Sequence, residues 1–334
     1  MKTILLIVLL YAITVVVVLA QQRPQYTQYV QNNYITNPAV GGIESYTDLR
    51  LGYRMQWTGL EGAPTSFYAS LQGSIGYNEP NSSKGVSARG GFSKRSTYKH
   101  AIPHHGVGMV AMVDKAGLLR TSTVNLSYAY HQPLNRYLTL ASGISSGITQ
   151  FTVNTQHAIA FDPNDPYLSG AVQNATKADL GIGFWLYSPD FFLGVSGGQL
   201  LRNSNDLEQG GTISQPHMRQ QPHFYGTAGW RLQPSQDLSI IPSVMVKATE
   251  SAAPAIDVNL RMLYAQRVWG GVSYRKGDAM ALMAGVNMNA LLDISYAYDV
   301  TTSSLNQVSA GSHEIVLGLK LNNSRKVICP TWVW

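Results

Sequence analysis

Apolar and polar residues alternate with a period of two along most of this chain. The alternation is clearest from Tyr46 to Gly73, where two such segments flank a turn at 58–64. The first segment sets an apolar row against a polar one, namely Thr47, Leu49, Leu51, Tyr53 and Met55 against Asp48, Arg50, Gly52, Arg54 and Gln56. Successive side chains of a β-strand point to opposite faces, so the pattern predicts a β-hairpin. The hairpin alone fits either a soluble sandwich or a transmembrane barrel.

The same alternation recurs along the chain and favours the barrel. It is found again at 107–113, 124–130, 138–148, 177–187, 191–199, 238–247, 256–264, 292–299 and 314–321. With the intervening stretches this makes about 14 segments, within a range of about 12 to 16, which is typical of bacterial barrels. Short turns are expected at 133–135, 188–190, 233–235 and near Asn289, and long polar loops at 78–105, 152–176 and 200–222. We therefore predict a closed antiparallel transmembrane β-barrel, with a periplasmic β-sandwich array as the alternative.

The composition of the chain is compatible with a transmembrane β-barrel. Beyond residue 20 no apolar run reaches the roughly 18 residues of a spanning helix. Charged residues make up only 13% of the chain, while 31 glycines and 19 tyrosines are present. Five tyrosines on the apolar faces are expected to form an aromatic girdle: Tyr128, Tyr130, Tyr264, Tyr296 and Tyr298. The net charge of +6 is spread along strands, so no nucleic-acid partner is predicted.

The ends of the chain lie outside this pattern. Lys2, an apolar stretch and a small-residue site at Ala20 predict a signal peptide over residues 1–20, with an uncleaved anchor as the alternative. Residues 21–42 are expected to form a periplasmic or lumenal segment, or else a mobile tail. Residues 43–322 would form the barrel, and residues 323–334 a C-terminal tail that contains Cys329, Trp332 and Trp334.

Three short motifs suggest chemistry, and none of them is convincing in its context. The G-x-S-x-G match at 143–147 needs a strand-to-helix turn to expose Ser145, yet it lies within an alternating strand. His100, His104 and His105 are expected in a basic loop that has no carboxylate, which favours a solvated loop over a metal site. Asp162, Asn164 and Asp165 resemble only a fragment of a calcium loop. We predict no catalytic residue, no metal and no cofactor.

Acidic residues on the lumenal faces need a partner if they are to be buried. Asp293, Asp299 and Glu314 are expected to lie close together. Five arginines are expected on lumenal faces as well: Arg50, Arg54, Arg261, Arg267 and Arg275. A charge-balanced interior accounts for these acids without catalysis. The alternative, a barrel hydrolase, would lose its activity when Ser145 or Asp293 is changed.

An ordered set of short motifs resembles the PorP/SprF family of outer-membrane proteins from the Bacteroidota. The residues that carry this resemblance are Asn37, Pro38, Ala39, Arg54, Gln56, Trp57, Gly59, Gly62, Ala63, Pro64, Tyr274, Arg275, Asp278, Tyr296, Asp299, His313 and Glu314. Further matches at 25–29, 106–114 and 128–131 extend it over nearly the whole mature chain.

The resemblance implies a non-enzymatic role in type IX secretion or in gliding motility. Members of the family are barrels that export or anchor a secreted surface protein, often an adhesin, through its C-terminal domain. The partners implied are that domain, a peptidoglycan-binding lipoprotein, and periplasmic ring and motor components, besides outer-membrane lipid. From polarity and loop length, we expect the loops at 152–176, 200–222 and 301–311, or the barrel mouth, to hold the client, and residues 21–42 with the periplasmic turns to contact the machinery. A channel for a small solute is the alternative function.

Overall fold

A computed structural model describes residues 26–76, 102–153, 173–201, 221–250, 252–302, 306, 308–324 and 327–329. The predicted signal peptide, His100, the acidic motif at 162–165 and the two tail tryptophans lie outside the described residues. So do most residues of the expected loops at 78–105, 152–176 and 200–222.

Fourteen antiparallel strands in the described part of the chain form a closed barrel, in which each strand pairs with its sequence neighbours and β1 pairs with β14. The strands are β1 Thr47–Met55, β2 Thr65–Ile75, β3 His104–Ala116, β4 Leu119–Pro133, β5 Thr139–Val153, β6 Gln173–Tyr187, β7 Phe191–Gly198, β8 His223–Trp230, β9 Leu238–Thr249, β10 Ala252–Tyr264, β11 Val268–Arg275, β12 Ala279–Asn287, β13 Leu292–Thr301 and β14 Ser312–Leu321. The predicted fold and strand number are confirmed. Closure leaves no sheet edge unpaired, as a membrane requires.

The two faces of the wall differ as the alternation predicts. In β1 the outward Tyr53 is 45% exposed, whereas its neighbour Arg54 is 2% exposed and points into the lumen. The five girdle tyrosines lie on the outer face. Among the described residues no helix is long and apolar enough to cross a membrane.

Two loop predictions were too wide. His104 and His105 belong to β3, and β5 and β6 extend to Val153 and from Gln173, into the expected loop at 152–176. Strand residues beyond the hydrocarbon layer do not need apolar side chains, so a polar sequence did not mark the end of the strand.

The two ends of the barrel are distinct. We call the end where β1 begins and β14 ends the terminal end, and the opposite end the loop end. Connections at 134–138, 188–190, 231–237, 265–267 and 288–291 are short and lie at the terminal end. The loop end has three connections of two or three residues, at 117–118, 250–251 and 276–278, and four that are longer. Because longer connections face outward in such barrels, we expect the loop end to face outward. The long connection at 76–103 lies at the terminal end, so it breaks the parity of short and long connections there.

Candidate functional site

The lumen is occupied by residues 26–46, which we call the plug. It consists of three short 3-10 turns at Thr27–Gln31, Asn33–Ile35 and Pro38–Val40, followed by the chain that enters β1. At the third turn the Asn37 side chain accepts a hydrogen bond from the Ala39 backbone N–H (3.0 Å), and Pro38 takes the first helical position. Asn at the cap and Pro at the first position both favour a helical start, so the sequence specifies this turn locally.

The plug supplies much of the apolar core inside the barrel. Tyr26, Tyr34, Ala39, Val40 and Ile43 pack in one cluster against lumenal side chains of the wall. A second cluster joins Tyr29 and Val30 to another set of wall residues, Met245, Leu263, Trp269, Met283 and Ala297. The described part of the plug, residues 26–42 included, is mostly buried. The expectation that residues 21–42 contact the periplasmic machinery stays a prediction, and residues 21–25 lie outside the described residues.

The first residues of the plug bind a buried ion-pair network. Arg54 pairs with Asp299 (2.7 Å) and with Glu314 (3.0 Å), and it also donates to the Thr27 hydroxyl (2.8 Å). Thr27 in turn donates its hydroxyl proton to Asp299 (2.6 Å) and its backbone N–H to Glu314 (2.8 Å). Buried charges are tolerated only when they are paired and hydrogen-bonded. The plug therefore supplies donors that two buried carboxylates require.

Hydrogen bonds to several strands hold the middle of the plug. Asn32 donates to Ser70 (2.7 Å), Asn259 donates to the Tyr29 hydroxyl (2.6 Å), and Tyr34 shares a hydrogen bond with Ser127 (2.5 Å). Burial raises the pKa of Tyr34 to about 12, although the Ser127 bond opposes the shift. Burial also raises the pKa of Tyr29. The hydroxyls of Tyr29 and Tyr34 are therefore neutral hydrogen-bonding groups at physiological pH.

Glycines in the wall let the last part of the plug lie directly against the strands. A Cβ at Gly106 would lie 1.8 Å from the Gly41 carbonyl oxygen, and one at Gly143 would lie 2.4 Å from the Ala39 nitrogen. At Gly183 it would lie 2.0 Å from Oδ1 of Asn37. Gly143 opens the G-x-S-x-G motif, and β5 continues through that motif to Val153. The motif thus has a packing role in the structure, and its serine is not on a strand-to-helix turn.

Two lumenal histidines lie close to the last part of the plug, near Gly41. The rings of His104 and His131 are stacked, with centroids 4.3 Å apart. Nε2 of His131 is 2.8 Å from the Gly41 carbonyl oxygen, and its Nδ1 is 3.1 Å from the Tyr187 hydroxyl. His105 lies on the outer face beside Tyr128, so the predicted histidine cluster is divided between the two faces of β3. No group of three or more metal-ligating side chains is found among the described residues.

Other lumenal charges form two further networks. Arg50 pairs with Asp48 (2.8 Å) and lies 3.8 Å from Asp293, which also faces Lys320 (3.4 Å). The second network sets Lys247 and Arg275 about Asp257, at 2.5 and 3.3 Å, and joins Arg275 to Asp278 (2.8 Å). The expected charge-balanced interior is therefore present. Arg267 is the exception: it is exposed in the 265–267 turn, because the strand alternation ends at Tyr264.

The described part of the C-terminal tail folds back towards the lumen at the terminal end. Lys320 donates to the Ile328 carbonyl, and the Asn323 side chain bonds both the N–H and the carbonyl of Val327. Cys329 is half-buried and packs against the cluster that contains Tyr29. Burial raises the pKa of the Cys329 thiol, although the nearby Arg231 guanidinium opposes the shift. Arg231 is itself largely buried, and this burial lowers the pKa of its guanidinium group.

A mostly apolar cleft lies beside the plug, among the loop-end residues of three strands. Tyr26 and Tyr29 of the plug form one side, and the ends of β8, β9 and β10 form the other. Lys247 lies at the cleft with its Nζ 5.2 Å from the centre of the Tyr29 ring.

The structure brings together some of the residues that carry the family resemblance and separates others. Asn37, Pro38 and Ala39 belong to the plug, whereas Arg54 pairs with Asp299 and Glu314, and Arg275 with Asp278. Six more form the connection between β1 and β2 at the loop end: Gln56, Trp57, Gly59, Gly62, Ala63 and Pro64. Gly59 and Gly62 have positive φ (97° and 71°), which explains the glycines there. Tyr274 and Tyr296 face outward, and His313 bonds Tyr296 (2.6 Å).

Sequence reasoning missed the wall glycines and Thr27. A signal was present, because Gly106, Gly143 and Gly183 occupy lumenal positions of alternating strands. The alternation does not show which segment of the chain these glycines contact.

The described chain forms a closed fourteen-stranded barrel that has an apolar outer face, a charged lumen and an internal plug. This is the architecture of an integral β-barrel protein of the outer membrane. The family model for the type IX secretion system membrane protein PorP/SprF matches residues 18–319, and the chain belongs to that family. Comparison with curated proteins gave no match.

Three solved structures of low sequence identity are similar to this chain. Omp33 of Acinetobacter baumannii is 8% identical with a TM-score of 0.45, covering 84% of this chain and 100% of its own. A FadL homologue of Pseudomonas aeruginosa is 12% identical with a TM-score of 0.47, covering 89% of this chain and 94% of its own. The toluene transporter TodX of P. putida is 8% identical with a TM-score of 0.45, and the match covers 87% of this chain and 94% of TodX.

Proposed function

We propose that this protein exports or anchors one secreted surface protein, such as an adhesin, by binding the C-terminal domain of that client at the loop end. Membership of the PorP/SprF family carries the proposal. The filled lumen supports it, because the plug and the ion pairs occupy the space that a solute channel would need. The barrel then acts as a binding partner in the membrane, and no catalytic residue is required.

The two ends of the barrel would serve different partners. The loop-end connection at 56–64, the described residues of the connection at 302–311 and the cleft beside Tyr26 would offer polar and apolar surface to a client. The terminal-end connections and the C-terminal tail would contact a peptidoglycan-binding lipoprotein and the periplasmic ring and motor components. In a gliding cell this arrangement would couple a surface adhesin to the motor.

Deletion of the gene, followed by proteomics of the cell surface, tests this function. We expect one large surface protein to be lost while other type IX substrates remain displayed, and a wild-type copy should restore it. A soluble reporter fused to the C-terminal domain of the lost protein should then reach the surface only in cells with the barrel. An unchanged surface proteome would refute the proposal.

The alternative function, transport of a small apolar solute, is favoured by the cleft alone. Purified protein in liposomes should release no trapped solute if the plug closes the lumen. Release that increases on removal of residues 26–42 would measure the capacity of the unplugged barrel, whereas release by the intact protein would favour the transporter.

A further inference from the structure

The cleft beside the plug has a rim at the loop end and a closed floor inside the lumen. At the rim, Ala253 near the start of β10 is exposed. At the floor, Tyr29 and Met245 are buried, and both belong to the apolar cluster that includes Leu263 and Trp269 near the terminal end. Because this cluster is packed below the cleft, a molecule that enters from the rim meets a dead end in the described part of the lumen.

Small side chains leave room in the cleft beside Lys247. Four alanines are among the lining residues, namely Ala248, Ala252, Ala253 and Ala255. The pairing of β9 with β10 shifts register between Ala252 and Ala255, where Pro254 lies, and proline within a sheet is tolerated at such bulges. Ala255 is directly opposite Lys247 in the pairing, so the two side chains share a face. Only a methyl group therefore stands next to the lysine side chain.

Lys247 supplies the charge of the cleft, and none of the described residues that line the cleft is a carboxylate. Its ammonium group donates to Asp257 (2.5 Å), and its Nζ lies 5.2 Å from the centre of the Tyr29 ring. Asp257 is fully buried, does not line the cleft, and is shared with Arg275 (3.3 Å). Because an ammonium group has three N–H donors, Lys247 retains donors for a ligand.

The apolar lining and the lysine lie at different depths. Lys247 is two residues from the loop end of β9, whereas Met245 is four residues from it. Tyr29 and Ile35 of the plug and Met112 of β3 add apolar surface around the floor. A ligand that inserts an apolar chain first would therefore place a polar head group beside the ammonium group. A carboxylate suits this position, because charge-assisted hydrogen bonds are stronger than those between neutral groups.

We propose that this cleft binds a small monocarboxylic acid with an apolar chain. The chain packs against Tyr29, Met112 and Met245, and the carboxylate accepts a hydrogen bond from Lys247. The closed floor means that the acid is held in the barrel and is not transported through it. The proposal concerns a small ligand and does not rest on the binding of a client, so the surface proteome and the ligand site can be tested separately.

Isothermal titration calorimetry on the mature protein in lipid nanodiscs tests the proposal. Octanoate is the probe, octanamide is its uncharged counterpart of equal length, and empty nanodiscs give the blank. Ala255→Leu fills the space beside Lys247 and leaves the ion pairs in place, whereas Lys247→Met removes the cation and keeps an apolar side chain. Ile256→Leu is the matched control, because Ile256 is exposed on the outer face. The gel mobility of the unheated protein establishes that each variant is folded.

We expect octanoate to bind the wild-type protein saturably and about 10-fold or more tightly than octanamide. Ala255→Leu should weaken the binding of both probes about 10-fold or more, since it overpacks the site. Lys247→Met should reduce the affinity for octanoate to that for octanamide, and Ile256→Leu should change neither affinity.

Three results would each overturn the proposal. They are the absence of saturable heat above the blank, equal affinities of the wild-type protein for the two probes, and unchanged binding by Ala255→Leu. If Lys247→Met does not fold, the comparison of octanoate with octanamide on the wild-type protein still decides whether a cation recognises the head group.

Discussion

The Gly143→Ala substitution tests whether the plug is held by direct contact between its backbone and the wall. The new Cβ would lie 2.4 Å from the Ala39 nitrogen and 2.6 Å from both the Ala39 Cα and the Pro38 carbonyl carbon. Non-bonded heavy atoms prefer a separation of about 3.5–4.0 Å, so the plug must move by roughly 1 Å or more. Overpacking of this kind costs about 1–3 kcal/mol. We therefore expect the plug to be less stable in its bound position. The equilibrium constant for its opening should increase roughly 5- to 150-fold.

Hydrogen exchange measured by mass spectrometry on the purified protein reports this loss directly. Exchange at Val40 and Gly41, whose N–H groups bond within the plug, should accelerate in Gly143→Ala while exchange in β10 stays constant. Gly226→Ala in β8 is the matched control, because its Cβ would have no atom within 4 Å. Equal protection of the plug in the two variants would show that the close approach at Gly143 does not hold the plug.

Three further predictions concern the ion pairs, the cap and the tail. Arg54→Gln should lower the free energy of unfolding in urea by about 3–5 kcal/mol, because it leaves Asp299 and Glu314 buried without their cation. Asn37→Ala should cost about 1–3 kcal/mol in the same assay, since it removes the cap at Ala39 and the bond to the Phe184 carbonyl (3.1 Å). Alkylation of Cys329 should require a higher pH than that of an ordinary thiol, because burial raises its pKa and only the thiolate reacts.

Matched controls make these three outcomes decisive. Arg267→Gln, at an exposed turn position, should change stability by no more than about 0.5 kcal/mol, and an equal effect at Arg54 would contradict the ion-pair argument. For Asn37, Asn37→Asp should retain the cap and recover part of the loss. For Cys329, the exposed Val308→Cys thiol supplies the reference pH profile, and coincident profiles would contradict the effect of burial.

The sequence was informative wherever a local period reports the environment of a residue. A strand of a membrane barrel has lipid on one side and the lumen on the other, so the alternation assigned Tyr53 outward and Arg54 inward. Repeated along the chain, the alternation also predicted the number of strands. It failed at the starts of β6 and β3, because polar residues at a strand end do not repeat the alternation and therefore did not mark where the strand begins.

The position of the plug against particular strands was decided by the tertiary structure. Its short 3-10 turns have no long period, and its contacts join residues far apart in sequence, such as Thr27 and Glu314 at a separation of 287 residues. A local pattern shows that Gly143 faces the lumen, but it does not show that Ala39 lies against it. The chain by itself therefore determined a cylinder with a polar interior. Closure of the barrel brought the plug and its partners together, because only the folded wall places the strands around one space.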